Sequence, residues 1–136
     1  MVEESKENLV KLDDLNSYSR GINTIVEVLE RTPVREVTSR RDNHQHRVCD
    51  ALVGDDTASI YLTLWNDDID KIEAGMVLRI KNGYINVFRA SMRLNIGRYG
   101  SYKILEEAPF EEVNRDKNLS SDMIEDGRRK TYRKYR

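Results

Sequence analysis

The chain has 136 residues, a formal net charge of −1, 35% charged residues and 38% hydrophobic residues. Its length suits one domain with tails, and its near-zero net charge argues against binding polyanions through bulk charge alone. Cys49 is the single cysteine, which excludes an internal disulfide and argues against a thiolate zinc site. No apolar run approaches the ~20 residues that span a bilayer, so we expect a cytoplasmic protein without membrane association.

The first part of the chain predicts an arm followed by a long, bent strand. Residues 1–15 show no strong periodicity, which favours a loosely attached N-terminal arm. From Ile22 onwards, two sets of residues alternate as they do in a strand with one buried face. Val34 and Val37 continue the pattern after Pro33. Because proline cannot donate a hydrogen bond to a sheet, Pro33 predicts a bend or an edge.

Two further strands are predicted to form a meander with the first. The polar residues 39–46 predict a hairpin loop, and residues 48–53 predict a second strand that ends in a turn. The third strand, residues 60–65, has aliphatic side chains on one face and Tyr61, Thr63 and Trp65 on the other. The aliphatic face belongs to the core, so Trp65 is expected outside. A flat aromatic there needs a cover, such as another protein segment or a nucleic-acid base.

A short helix and two strands complete the predicted domain. Residues 66–75 combine Asn66 as an N-cap candidate, early acidic residues and Gly75 as a stop signal. In the fourth strand, residues 76–88, the aliphatic positions change from even to odd numbers beyond Gly83, which predicts a glycine bulge. Residues 91–97 predict the fifth strand, with residues 102–105 as its extension.

These elements predict an all-β fold: a five-stranded OB-fold barrel with a short helix between strands three and four, whose outer face binds oligonucleotides or oligosaccharides. The predicted parts are an N-terminal arm (residues 1–15), the OB domain (residues 16–108) and a flexible, disordered charged tail (residues 109–136) with a basic, tyrosine-bearing end. A generic small β-barrel or sandwich is the alternative.

Five segments together resemble one known family: DALVGDDT (50–57), IYLTLW (60–65), IEAG (72–75), NGYINVFR (82–89) and LNIG (94–97). The series resembles the archaeal single-OB-fold single-stranded DNA-binding proteins and, more distantly, the eukaryotic single-strand damage sensors. The resemblance covers roughly residues 12–107. It implies that Trp65, Tyr84 and Phe88 stack on successive bases. The Arg- and His-rich loop at residues 40–46 and the basic end depart from the family pattern.

Strand alternation alone also places these three aromatic side chains opposite the aliphatic set. Their alternative roles are structural, with Trp65 packed under a loop and Tyr84 and Phe88 packed on each other or on the arm. The basic residues predicted to contact the nucleic-acid backbone, each with a solvated surface position as its alternative, are Arg40, Arg41, Arg79, Lys81, Arg89, Arg93 and Arg98. Neither the histidine pair His44 and His46 nor the acids at residues 67–70 complete a metal site or a catalytic constellation. We therefore expect no metal, no cofactor and no enzymatic activity.

The sequence thus predicts a protein that binds and protects single-stranded DNA with little sequence preference, in replication, recombination or repair. We expect a nucleoid-associated location and contacts with replication or repair proteins. Single-stranded RNA is an alternative ligand, because stacking does not distinguish the two sugars. A protein-interaction OB subunit is the alternative of a different class. The basic end, residues 128–136, is predicted to add non-specific phosphate affinity.

Overall fold

Alternating aliphatic residues form seven strands in the computed structural model, which describes residues 9–121. The strands are β1 (Ile22–Arg31), β2 (Arg35–Thr38), β3 (Gln45–Gly54), β4 (Ser59–Trp65), β5 (Val77–Phe88), β6 (Ser91–Asn95) and β7 (Ser101–Leu105). One helix, α1 (Asp67–Lys71), follows β4, and 3₁₀ turns lie at Leu12–Asp14 and Leu119–Ser121.

The strand pairings return to their starting point. β1, β3 and β4 form the predicted antiparallel meander. β4 then pairs in parallel with β6, β6 pairs antiparallel with β5, and β5 pairs antiparallel with β1. The sheet therefore closes on itself. This mostly-β arrangement, with one short helix between β4 and β5, is that of an OB fold.

Two of the predicted strands are each divided, so the count of five is wrong. The predicted first strand is interrupted around Pro33, and the part that follows, β2, pairs only with β3. Residues 101–105 do not extend β6, as the sequence pattern predicts, but pair with the first half of β5. The reason is the turn at Gly97, whose positive φ of 77° redirects the chain.

The bulge predicted in the fourth strand is confirmed. Ile22 pairs with Gly83 and Thr24 pairs with Ile80, so β5 has one residue more than β1 in this interval. Asn82 takes up the change with a positive φ of 58°. As a result, the buried aliphatic residues have even numbers before the bulge (Leu78 and Ile80) and an odd number after it (Ile85).

The helix is shorter than predicted, and Asn66 occupies its N-cap position without capping it through the side chain. Asn66 has φ 49° and makes no side-chain hydrogen bond to the first turn. Its Oδ1 instead accepts a hydrogen bond from the Arg47 backbone N–H at 3.0 Å. Gly75 lies four residues beyond the end of α1, in the turn that leads to β5.

Both flanking segments are part of the fold where the structure describes them. The arm predicted as loosely attached has Leu12 fully buried in the core, and Val10 donates a backbone hydrogen bond to Asn23. The predicted tail, up to residue 121, lies along β4: Leu119 is buried, and the Ser120 hydroxyl accepts a hydrogen bond from the Tyr61 N–H at 3.0 Å. The predictions for the first eight residues and for the basic end fall outside the described residues.

The core lies inside the closed sheet. It consists mainly of the aliphatic residues that alternation assigns inward, among them Val26, Ile60, Leu62, Leu78 and Leu94. Cys49 is also buried there, and burial raises the pKa of its thiol. Within residues 9–121, no helix is long and apolar enough to span a membrane.

Candidate nucleic-acid interface

Residues of β2 and the outer faces of β3, β4, β5 and β6 form an open cleft of about 290 Å³. Strand alternation builds it, because every second residue of these strands points away from the core. The cleft is lined by Arg35, Val37, Val48, Asp50, Thr63, Trp65, Asn86, Phe88, Arg93 and Asn95.

The three aromatic side chains singled out by the sequence are all exposed on this side of the sheet. Trp65 is 44% exposed, Tyr84 is 40% exposed and Phe88 is 47% exposed. Trp65 and Phe88 line the cleft together. Tyr84 lies four residues before Phe88 on the same face of β5 and pairs with Asn95 of β6, but it is not among the residues that line the cleft.

Each ring has a neighbour on one side, and for Phe88 that neighbour lies over the ring face. The His46 ring contacts Trp65 edge-on, with the ring centroids 6.3 Å apart. The Arg89 guanidinium lies 5.2 Å from the centre of the Phe88 ring. The Tyr84 ring lies against Gly97, where a Cβ atom would come within 2.7 Å of it. These contacts orient the rings and leave part of each exposed.

Arg93 lies in the middle of the cleft and is already paired. Its Nη1 donates to Asp50 Oδ2 at 2.7 Å, and its guanidinium lies 5.3 Å from the centre of the Tyr61 ring. The second oxygen of Asp50 accepts a hydrogen bond from Thr63 at 3.2 Å. The floor of the cleft therefore carries a neutralised cation, not a free one.

The other predicted cations occupy different surroundings. Arg40 and Arg41 are exposed in the β2–β3 loop, which is shaped by Asp42: its carboxylate accepts the His44 N–H at 2.9 Å, and this hydrogen bond lowers the pKa of Asp42. Arg98 is exposed beside Tyr99 in the β6–β7 loop.

The structure does not place Arg79 and Lys81 beside the cleft. Both lie in the half of β5 that pairs with β1 and β7. Arg79 is only 7% exposed, so the expectation that it points freely into solvent is wrong. Strand alternation assigns a residue to a face, but it does not show what covers that face.

Sequence reasoning did not assign five polar residues of the cleft to the site, and these are Arg35, Asp50, Thr63, Asn86 and Asn95. Arg35 enters it from β2, opposite Val48. Asn86 and Asn95 line it from β5 and β6. The outward parity of Asn86 and Asn95 was visible in the sequence, but the predicted set was limited to aromatic and basic side chains. Arg35 is basic and was not singled out. Within residues 9–121, no group of three His, Cys, Asp or Glu side chains could hold a metal ion.

The closed sheet has the arrangement of an OB fold, and its outer side carries exposed aromatic rings beside a partly basic cleft. A model of the family described as single-stranded DNA binding protein Ssb-like, OB fold, matches residues 15–104. The chain belongs to this family.

The relatives come from distant organisms. An uncharacterized protein of Arabidopsis thaliana is 30% identical over 119 residues, covering 82% of this chain and 77% of that protein. The single-stranded DNA binding protein Ssb of Saccharolobus solfataricus is 31% identical over 87 residues, covering 64% of this chain and 57% of that protein. The solution structure of a hypothetical Arabidopsis thaliana protein superimposes with a TM-score of 0.74 at 30% identity, covering 91% of this chain and 90% of that one.

These comparisons confirm the Ssb-like family that the sequence segments indicate. A plant relative and an archaeal relative have nearly the same identity to this chain, 30% and 31%, so an archaeal origin and a relation to damage sensors stay predictions.

Proposed function

We propose that this protein binds and protects single-stranded DNA by stacking unpaired bases on Trp65, Tyr84 and Phe88. The observation that carries the proposal is the shared cleft of Trp65 and Phe88, two half-exposed rings, which Arg35 and Arg93 also line. Every base has a flat π face, so stacking is tolerant of sequence, and each stacked base contributes about 1–3 kcal/mol.

Backbone contacts are assigned to the arginines that border the rings. Arg35 and Arg93 line the cleft and Arg89 lies on Phe88, whereas Arg40, Arg41 and Arg98 are exposed in the flanking loops. Phosphates of a strand that crosses the rings would meet these cations, since cationic grooves follow the backbone in such proteins. The name of the Saccharolobus solfataricus relative supports DNA as the ligand. Replication, recombination and repair are the processes that expose single strands.

The test uses the single tryptophan as its reporter. Oligo-dT added at low salt should quench the indole emission of Trp65, because a stacked base covers the ring. Trp65→Ala should weaken binding of a labelled oligonucleotide, measured by anisotropy, by about 1–3 kcal/mol. Oligonucleotides of increasing length would give the site size in the same titration.

Tyr18→Ala is the matched control, since Tyr18 is an exposed ring that does not line the cleft. It should leave the affinity unchanged. No quench and no binding by the native chain would contradict the proposal, and tighter binding of a matched RNA oligomer would assign the face to RNA.

A further inference from the structure

Asn95 is a buried amide at the floor of the cleft. It ends β6, points to the outer face, and pairs with Tyr84 across the β5–β6 ladder. It lines the cleft together with Trp65 and Phe88, yet it is only 7% exposed. An amide with this much burial normally has its hydrogen bonds satisfied within the protein.

The amide of Asn95 is not satisfied in this way. Its Nδ2 is buried and has no hydrogen-bond partner among residues 9–121. Leaving a buried donor unpaired is costly, and the neighbouring cleft residues Asp50, Thr63 and Arg93 have all found partners. Because Nδ2 has almost no exposed area, the amide must turn about its last side-chain torsion for a ligand in the cleft to supply the missing partner.

We infer that the Asn95 amide hydrogen-bonds to the Watson–Crick edge of one base held in the cleft, and that it favours a pyrimidine imide such as thymine. The inference rests on the proposed function, since the base reaches Asn95 by stacking against the rings of the cleft. An amide offers a donor beside an acceptor. The imide edge of thymine presents an N–H between two carbonyls. It can therefore pair with the amide whichever way the amide is turned about its last side-chain torsion, which is a broad one.

This contact adds two properties that stacking alone lacks. A base in a duplex has its Watson–Crick edge occupied, so Asn95 would accept only unpaired bases. One position of an otherwise sequence-tolerant site would also prefer thymine to a base analogue without polar groups.

The experiment separates hydrogen bonding from stacking with an apolar isostere. An oligo-dT of the minimum site length is scanned with a single 2,4-difluorotoluene residue, which has the shape of thymine and lacks its hydrogen-bonding groups. At one position of the scan, the native protein should lose about 3- to 10-fold in affinity, the range of one neutral hydrogen bond. Asn95→Leu should lower the affinity for unmodified oligo-dT by the same factor and show no further loss at that position.

Asn86→Leu is the matched control, since Asn86 is an exposed amide in the same cleft. The Asn86→Leu variant should still lose affinity at the same position of the difluorotoluene scan as the native protein does. A flat scan with the native protein would overturn the inference even if the leucine variant fails to fold, and so would a loss that Asn95→Leu retains or Asn86→Leu abolishes. A flat scan with Trp65 quenching intact would refute only the base contact, whereas an absence of quenching would refute the proposed function itself.

Discussion

Arg93 lines the cleft, but its guanidinium already has a charged partner, Asp50. Its guanidinium is fixed by Asp50 at 2.7 Å and by the Tyr61 ring, so it cannot swing away from the cleft. A phosphate arriving there must compete with the Asp50 carboxylate. Charge in the cleft is therefore moderated, which agrees with the proposed reliance on stacking more than on bulk attraction.

Removing the competing carboxylate should strengthen DNA binding. Asp50→Asn frees Arg93 for a phosphate, so we expect tighter binding and a log–log salt slope that is steeper by about 0.7, the value for one phosphate on a single strand. The same change should lower the free energy of unfolding by about 1–3 kcal/mol, because a charged hydrogen bond is lost. Titrations at several salt concentrations and urea unfolding measure the two effects.

Asp13→Asn provides the control, since it removes one negative charge at an exposed position in the N-terminal 3₁₀ turn. If both variants steepen the slope equally, net charge explains the effect and the Asp50–Arg93 pair does not.

At the scale of the elements, the turn after β6 supports the ring of Tyr84. Gly97 has a φ of 77°, and an added Cβ atom would come within 2.7 Å of the tyrosine ring. Gly97→Ala should therefore displace that ring in addition to straining the backbone by about 1–2 kcal/mol. We expect a lower midpoint of thermal unfolding and weaker binding to oligo-dT, measured by anisotropy.

The turn before β5 offers the comparison for this substitution. Gly75 has a φ of 95°, and its missing Cβ position has no other atom within 4 Å. Gly75→Ala should cost similar stability and leave DNA affinity unchanged. Equal affinities for the two variants would show that Tyr84 does not depend on Gly97.

The alternation of aliphatic and polar residues predicted which face of each strand is buried. It could not predict which other strands and side chains lie next to that strand. Period two is a local property, so it correctly placed Trp65, Tyr84 and Phe88 outside and Leu62 inside. It did not reveal that β7 pairs with the first half of β5, or that Asp50 meets Arg93 across a distance of 43 residues in sequence. The side-chain partner of Asn66 could not be predicted for the same reason, because Arg47 belongs to β3.

At the scale of the whole molecule, the folded unit extends beyond the predicted boundary at residue 108. Scattered apolar residues led to the prediction of a tail, yet a single leucine is enough to anchor a segment when its backbone can also pair. Leu119 is buried, Ser59 donates its N–H to the Lys117 carbonyl, and Ser91 donates its hydroxyl hydrogen to the Ser120 carbonyl at 2.6 Å. Sequence periodicity has no signal for such an isolated contact.

Truncation tests this extended boundary. A chain that ends at residue 108 should have a free energy of unfolding about 2–5 kcal/mol below that of a chain that ends at residue 121, from the loss of one buried leucine and several hydrogen bonds. Urea unfolding of both chains measures the difference. Coincident transitions would show that residues 109–121 add nothing to the fold.

The closure of the sheet also determines when, during synthesis and folding, the strands that carry the three rings come together. Residues 22–27 of β1 pair with residues 77–83 of β5, and contacts so far apart in sequence make folding slow, on the order of milliseconds to seconds. The rings of β4 and β5 are brought side by side only through β6, which is synthesised after both. A chain still emerging from the ribosome therefore carries all three rings before β6 has joined the strands that hold them.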